Sequence, residues 1–211
     1  MDLGNGLIFD QDLNVTWLQD ANLAATNQFG LTQSVNEFPN ADQIGSTGRM
    51  TWDTAQNWIE GMNAANYKGF NDWRLPTTTL PDPNCSAQAI GGVPGQSGGL
   101  GCTGSEMGHL FLVEGITARA PGLFTNVEGN AYWSGTEFAP NPAAAWFVFY
   151  HGLGPQGAAP KSTETFAWAL RSGGSAPAEP VPEPSTMLLM GTGMMGLLSW
   201  RWVRRNRWLS D

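Results

Sequence analysis

The sequence predicts an α+β domain of short elements and long loops, followed by a separate apolar C-terminal segment. Three observations carry this reading. Charged residues make up only 13 % of the chain, against 27 glycines, 10 tryptophans and 10 phenylalanines, a mix that suits a loop-rich fold held by aromatic packing. Short strand-like patterns open and close the first 174 residues, with two short helical patterns between them. Beyond them, Thr186 to Trp200 carries no charge and is followed by Arg201, Arg204, Arg205 and Arg207.

Taken in order, Leu7-Ile8-Phe9 and Val15-Thr16-Trp17-Leu18 read as strands flanking the turn-prone Asp10 to Asn14. Residues 22 to 46 are polar and carry little helical signal. Thr51 is placed to cap a helix with Trp52, Ala55, Ile59 and Met62 on one face and Asp53 in its first turn. Gly69 to Pro76 is a tight connection. Thr103 to Glu106 (T-G-S-E) has the form of a capping box, in front of a short amphipathic helix through Met107, Leu110 and Phe111. The final third is β-like: Tyr132 to Ser134, Ala145 to Tyr150, and Phe166 to Arg171, where Phe166, Trp168 and Leu170 alternate with smaller residues. Residues 175 to 180 form a linker without apolar anchors.

Charge narrows the partners. Ahead of Pro184 there are 17 acids against six lysines and arginines, a net −11, which argues against binding nucleic acid through bulk charge. The tail is basic. Its apolar run is slightly short of the roughly 20 residues a membrane-spanning helix needs, and reaches that length over about 186–203 only if Arg201 snorkels. Trp200, Trp202 and Trp208 suit a headgroup interface. A transmembrane helix with a cytoplasmic arginine cluster is therefore expected.

Val181-Pro182-Glu183-Pro184-Ser185, the apolar run and the arginines together resemble the PEP-CTERM sorting signal of bacterial surface proteins. That resemblance implies an exported protein of a Gram-negative-type bacterium, anchored first in the membrane and delivered to the surface or extracellular matrix. It implies an exosortase, a membrane-embedded protease, as the partner that processes the tail. The start, Met1-Asp2-Leu3-Gly4, lacks the basic and apolar regions of a signal peptide, so a truncated or misplaced amino terminus is expected. Given export, Cys85 and Cys102 in the Pro/Gly-rich loop are expected to form a disulfide; without export both would be plain thiols.

The first 174 residues resemble a second family. L-G-N-G-L-I-F-D at the start, D-W-R-L-P-T from Asp72, Y-W-S-G-T-E from Tyr132 and A-L-R-S-G from Ala169 are similar to the Lcl C-terminal domain family. The resemblance implies a C-type-lectin-like fold, two helices around one small twisted antiparallel sheet. It does not transfer a calcium site, because Leu80-Pro81-Asp82 and Asn71-Asp72-Trp73 match the lectin motifs in neither form nor order.

Chemistry is hard to find in the sequence. Asp72, Trp73 and Arg74 read better as a core anchor with satisfied flanks than as a ligand grip. Ser134 lacks the G-x-S-x-G context of a nucleophile elbow. His109 lies among apolar neighbours, and the acids are scattered, so no catalytic residue, metal site or cofactor is assigned. The segment 138 to 165 remains, and Trp146, Tyr150, His151 and Lys161 are its candidate binding residues. The expectation is a non-enzymatic binding protein of the surface or matrix, with polysaccharide or another surface protein as partner. The alternatives are an exported hydrolase or oxidoreductase, or a purely structural matrix component.

Overall fold

A computed structural model describes residues 1–150 and 154–174, which belong to one compact unit running from Met1 to Pro177. Short strands dominate. A four-stranded antiparallel sheet is assembled from β1 (Asp2–Gly4), β2 (Leu7–Asp10), β3 (Val15–Leu18) and β9 (Leu170–Ser172), in that spatial order. Two residues each of β4 (Thr32–Gln33) and β5 (Gln43–Ile44) pair in parallel. A third, antiparallel sheet contains β6 (Ala131–Glu137), β7 (Ala144–Phe149) and β8 (Gln156–Pro160).

The β2–β3 hairpin forms because both strands are apolar and the turn between them is polar. Leu7 pairs with Leu18 and Asp10 with Val15. Asn14 takes the left-handed conformation that asparagine tolerates, φ 53°. The Asp10 carboxylate stiffens the turn, its Oδ1 accepting the Asp12 and Leu13 amides at 3.0 Å each.

The longer helix, α1 (Trp52–Ala64), is capped as expected: Thr51 Oγ1 accepts the Thr54 amide at 3.3 Å. Its buried face holds Trp52, Ala55, Ile59 and Met62, together with Trp58. The shorter helix, α2 (Glu106–Leu112), buries Met107, Leu110 and Phe111. Its start is not a capping box. Ser105 makes no side-chain cap bond, and its hydroxyl instead accepts the Thr79 amide at 3.0 Å. Glu106 turns away to bind Arg74 bidentately at 2.6 and 2.7 Å and to accept the Thr77 amide. Behind α2, Cys85 and Cys102 are joined in a disulfide, with Cα atoms 4.3 Å apart. Gly108 lets α2 lie against that loop, since a Cβ there would collide with the Cys102 carbonyl.

Aromatic rings fill the centre. Trp17, Trp58, Trp133, Trp168, Tyr132 and Tyr150 are fully buried. Trp168 packs against Trp17 at 5.2 Å and Tyr132 at 5.7 Å, and Tyr132 against Tyr150 at 5.2 Å. The indole N–H groups of Trp168 and Trp133 donate to the Leu18 and Met50 carbonyls, which lets those two rings sit deep without an unpaired donor; the buried Trp17 indole N–H has no partner among the described residues. D-W-R-L-P is structural. Trp73 is buried, Arg171 binds Asp72 at 2.7 and 3.0 Å, and Arg74 holds Glu106.

Several expectations are corrected here. The C-type-lectin-like arrangement around a single small sheet is replaced by three separate sheets, one of them parallel. Of the expected 166–171 strand only Leu170 and Arg171 lie in the sheet, as part of β9; Phe166 to Ala169 are buried outside it. Residues 138 to 165 are not one loop, because β7 and β8 lie within them. The transmembrane helix at about 186–203 is unsupported: among the described residues no helix is long and apolar enough to cross a membrane. That segment, with Val181 to Ser185 and Arg201, Arg204, Arg205 and Arg207, lies outside the described residues.

Candidate functional site

The candidate binding residues from the sequence do not form a surface. Trp146 is fully buried and packs edge-on against Phe138 at 5.4 Å. Tyr150 is also buried, its hydroxyl donating to the Met107 carbonyl at 3.1 Å, and burial raises its pKa well above the usual phenol value. Alternation along β7 correctly groups Trp146, Val148 and Tyr150 on one face, but that face is the core. Lys161 pairs with Glu137 and sits 4.2 Å over the Trp52 ring. His151 lies outside the described residues.

Two other places collect exposed chemistry, one at each end of the β2–β3 hairpin. The first is a groove of about 180 Å³ where the strands leave the sheet, lined by Gly6, Gln19, Asp20, Tyr67, Lys68 and Thr125 over Leu18 and Leu23. Its frame is hydrogen-bonded: the Gln19 amide nitrogen of the backbone donates to Gly6, and Gln19 Nε2 to the Leu123 carbonyl. Asp20 Oδ1 accepts from the Asn22 amide and from Asn126 Nδ2, both at 3.0 Å.

Its opposite wall is a hook. Asn66 and Lys68 both have left-handed backbone, φ 49° and 55°, conformations that cost a lysine on the order of 1–3 kcal/mol. The hook stands Tyr67 edge-on against Phe29 at 4.9 Å and returns the Lys68 ammonium over the Tyr67 ring at 5.1 Å, where it also donates to the Asn5 carbonyl. Gly6 allows this return, since a Cβ there would lie 3.1 Å from Lys68 Nζ. Burial lowers the Lys68 pKa and raises that of Tyr67, the latter with help from the Asp20 charge.

The second place is acidic and surrounds the hairpin turn. Asp10, Asp12 and Glu114 line a cavity of about 280 Å³ with Met1, Phe9 and Gln11. His109 Nε2 stands 3.8 Å from both Asp12 Oδ2 and Glu114 Oε1. Partial burial, followed by the Asp10 charge and a hydrogen bond to it, pushes Glu114 up to about 7. Asp10 is 6 % exposed; backbone amides reach its Oδ1, its carboxylate is the partner of the Glu114 hydrogen bond, and the Met1 ammonium acts on Glu114 in the opposite sense, lowering its pKa.

The disulfide loop is different. Asp82, Cys85 and Cys102 are the one group of three ligand-type side chains, among the described residues, with donor atoms all within 4.8 Å. Both cysteines are bonded to each other, and the Asp82 oxygens accept the Asn84 and Gly104 amides at 3.0 and 2.8 Å. This carboxylate braces the loop. It is not a metal centre.

A small disulfide-braced, aromatic-cored domain ahead of a separate tail is the form of an exported protein, and the comparisons with known proteins agree. Residues 6–171 match the Lcl C-terminal domain, and the chain belongs to that family. Residues 180–205 match the PEP-CTERM protein-sorting motif, which marks an exported protein processed by exosortase, a membrane enzyme. No curated protein and no solved structure matches the chain.

Proposed function

We propose that this is a surface- or matrix-associated binding protein without enzymatic activity, and that its ligand sits in the Tyr67–Lys68 groove. The strained hook supports this reading most. A lysine held at φ 55° beside a second left-handed residue destabilises the fold, and such outliers persist where a site requires them. The groove offers an aromatic edge, an ammonium, a carboxylate and amide groups around an apolar floor, the mixture that orients a ligand rich in hydroxyl groups or a polar loop of another surface protein.

The test applies the exported protein, alongside its Lys68→Gly and Tyr67→Ala variants, to a glycan array and to isolated matrix. Capture by the unmodified protein that both variants lose supports the groove. Capture unaffected by both defeats it. No capture at all favours a structural matrix role, and turnover of a matrix polymer favours an exported enzyme.

A further inference from the structure

We propose that Asn14, at the turn of the β2–β3 hairpin, is an N-glycosylation site that is filled before β9 closes against β3. Asn14-Val15-Thr16 is an Asn-x-Thr triplet, the acceptor pattern for transfer of an oligosaccharide to an asparagine amide, and it carries weight only in an exported chain. This chain is exported. Asn14 is exposed, and its carboxamide makes no hydrogen bond among the described residues. Asp12, two residues earlier and with its side chain 73 % exposed, adds a carboxylate to the same turn. The proposal is independent of the Tyr67–Lys68 groove, which lies at the other end of the hairpin.

The step is a group transfer. The Asn14 amide nitrogen bonds to the anomeric carbon of a polyprenyl-pyrophosphate-linked oligosaccharide. The anomeric C–O bond breaks, the lipid pyrophosphate leaves with the electron pair, and the amide loses one proton. The acceptor pattern requires the hydroxyl of the third residue, so a transferase has to reach Thr16 as well as Asn14. In the finished domain it cannot. Thr16 is fully buried, and its hydroxyl donates to the Gly173 carbonyl at 2.6 Å. The Gly173 amide in turn donates to the Asn14 carbonyl at 2.8 Å. One residue, just after β9, thus clamps both ends of the triplet. Transfer has to precede that clamp, and the 157 residues between Thr16 and Gly173 leave the triplet open while the rest of the chain emerges.

The second triplet of this kind, Asn84-Cys85-Ser86, shows how such a site is closed. Pro83 stiffens the backbone ahead of it. Asn84 Nδ2 donates to Thr103 Oγ1 at 2.8 Å, Ser86 Oγ accepts the Leu100 amide at 2.9 Å, and Cys85 is bonded to Cys102. None of these partners is more than 19 residues away, so this loop closes locally and early. Asn84 stays unmodified.

The experiment exports the full chain, behind a signal peptide, from two bacterial hosts that differ only in a membrane oligosaccharyltransferase and its lipid-linked donor of known mass. Peptide mass spectrometry is expected to find one glycan on Asn14 in the equipped host and none on Asn84. Asn14→Gly, which suits the positive φ, and Thr16→Val should each lose it, while Thr16→Ser keeps it. Near-UV circular dichroism identifies a Thr16 variant that fails to fold, in which case the unmodified chain and Asn14→Gly decide. For the timing, folded chain from the unequipped host is incubated with transferase and donor, beside a synthetic peptide of residues 8–20. The peptide should be modified and the folded chain should not. A bare Asn14 in the equipped host, a glycan that survives Thr16→Val undiminished, or a folded chain modified as fully as the peptide overturns the proposal.

Discussion

At the turn of the β2–β3 hairpin, Asp10 and Asp12 face Glu114 and His109; at the open end of the same two strands, Gln19 and Asp20 face Tyr67 and Lys68. Only four residues of strand separate them, on the order of 10 Å. The hairpin is the same rigid ladder at both ends, so the difference comes from what packs against each. Beside the turn, the segment just after α2 delivers an acid to acids. Beside the open end, a left-handed hook places the Lys68 ammonium over the Tyr67 ring and against the Asn5 carbonyl. One end crowds carboxylates so that Glu114 keeps its proton up to about pH 7, and the other stores strain in the backbone. The two ends of one short ladder thus differ in chemistry because different segments pack against them.

The predictions that test this contrast run from large to small. Trp168 supports both ends, since it packs on Trp17 and its indole donates to the Leu18 carbonyl. Trp168→Ala should cost about 3–5 kcal/mol in urea unfolding and remove both ligand capture at the groove and the raised titration of Glu114; loss of one alone would show that the ends are not mounted on a shared core. Replacing Cys85 and Cys102 together by serine removes a cross-link spanning 17 residues and should cost about 3 kcal/mol in the chain-entropy model. Because the disulfide braces the loop behind α2, the titration of Glu114 just after that helix should shift while the groove keeps its ligand.

Titration separates the ends further. Glu114 is pushed up to about 7 in the folded protein against 4.5 for an ordinary glutamate, so the native state retains a proton that the unfolded chain releases. Stability from this group is therefore complete at acid pH and falls as pH rises from about 4.5 to about 7. In chelator-treated protein, Glu114→Gln should flatten that slope in pH-dependent unfolding, and Lys68→Gly should leave it unchanged. The smallest effect is expected at the hook. Lys68→Gly relieves left-handed strain and should stabilise by up to about 1 kcal/mol while weakening ligand capture, a trade that a purely structural lysine would not show.

Much of the frame is legible in the sequence, because it is encoded locally. Thr51 and the spacing Trp52, Ala55, Ile59 and Met62 define α1, and two apolar runs around Asp10 to Asn14 define the hairpin. Other features depend on contacts made far along the chain. The T-G-S-E pattern looks like a capping box until Arg74 and Thr77 claim Glu106. Alternation groups Trp146 with Tyr150 but cannot tell which face of β7 the core covers, and the covered face is theirs. Neither site can be read linearly. Asp10 and Glu114 are joined only by the fold, and nothing in the letters around Lys68 announces its positive φ.

The pairing of β3 with β9 constrains when the domain can form. Trp17 lies opposite Leu170, and Leu18 accepts a hydrogen bond from Trp168, 150 residues later. A chain leaving a secretion channel amino terminus first presents β1, β2 and β3 long before their neighbour arrives. Contacts of such sequence separation close slowly, and until they close the apolar face of the hairpin is open to water and to other chains. Completion of the sheet thus waits for the last residues ahead of the sorting tail, which makes the tail's delivery and the domain's folding consecutive events on one polypeptide.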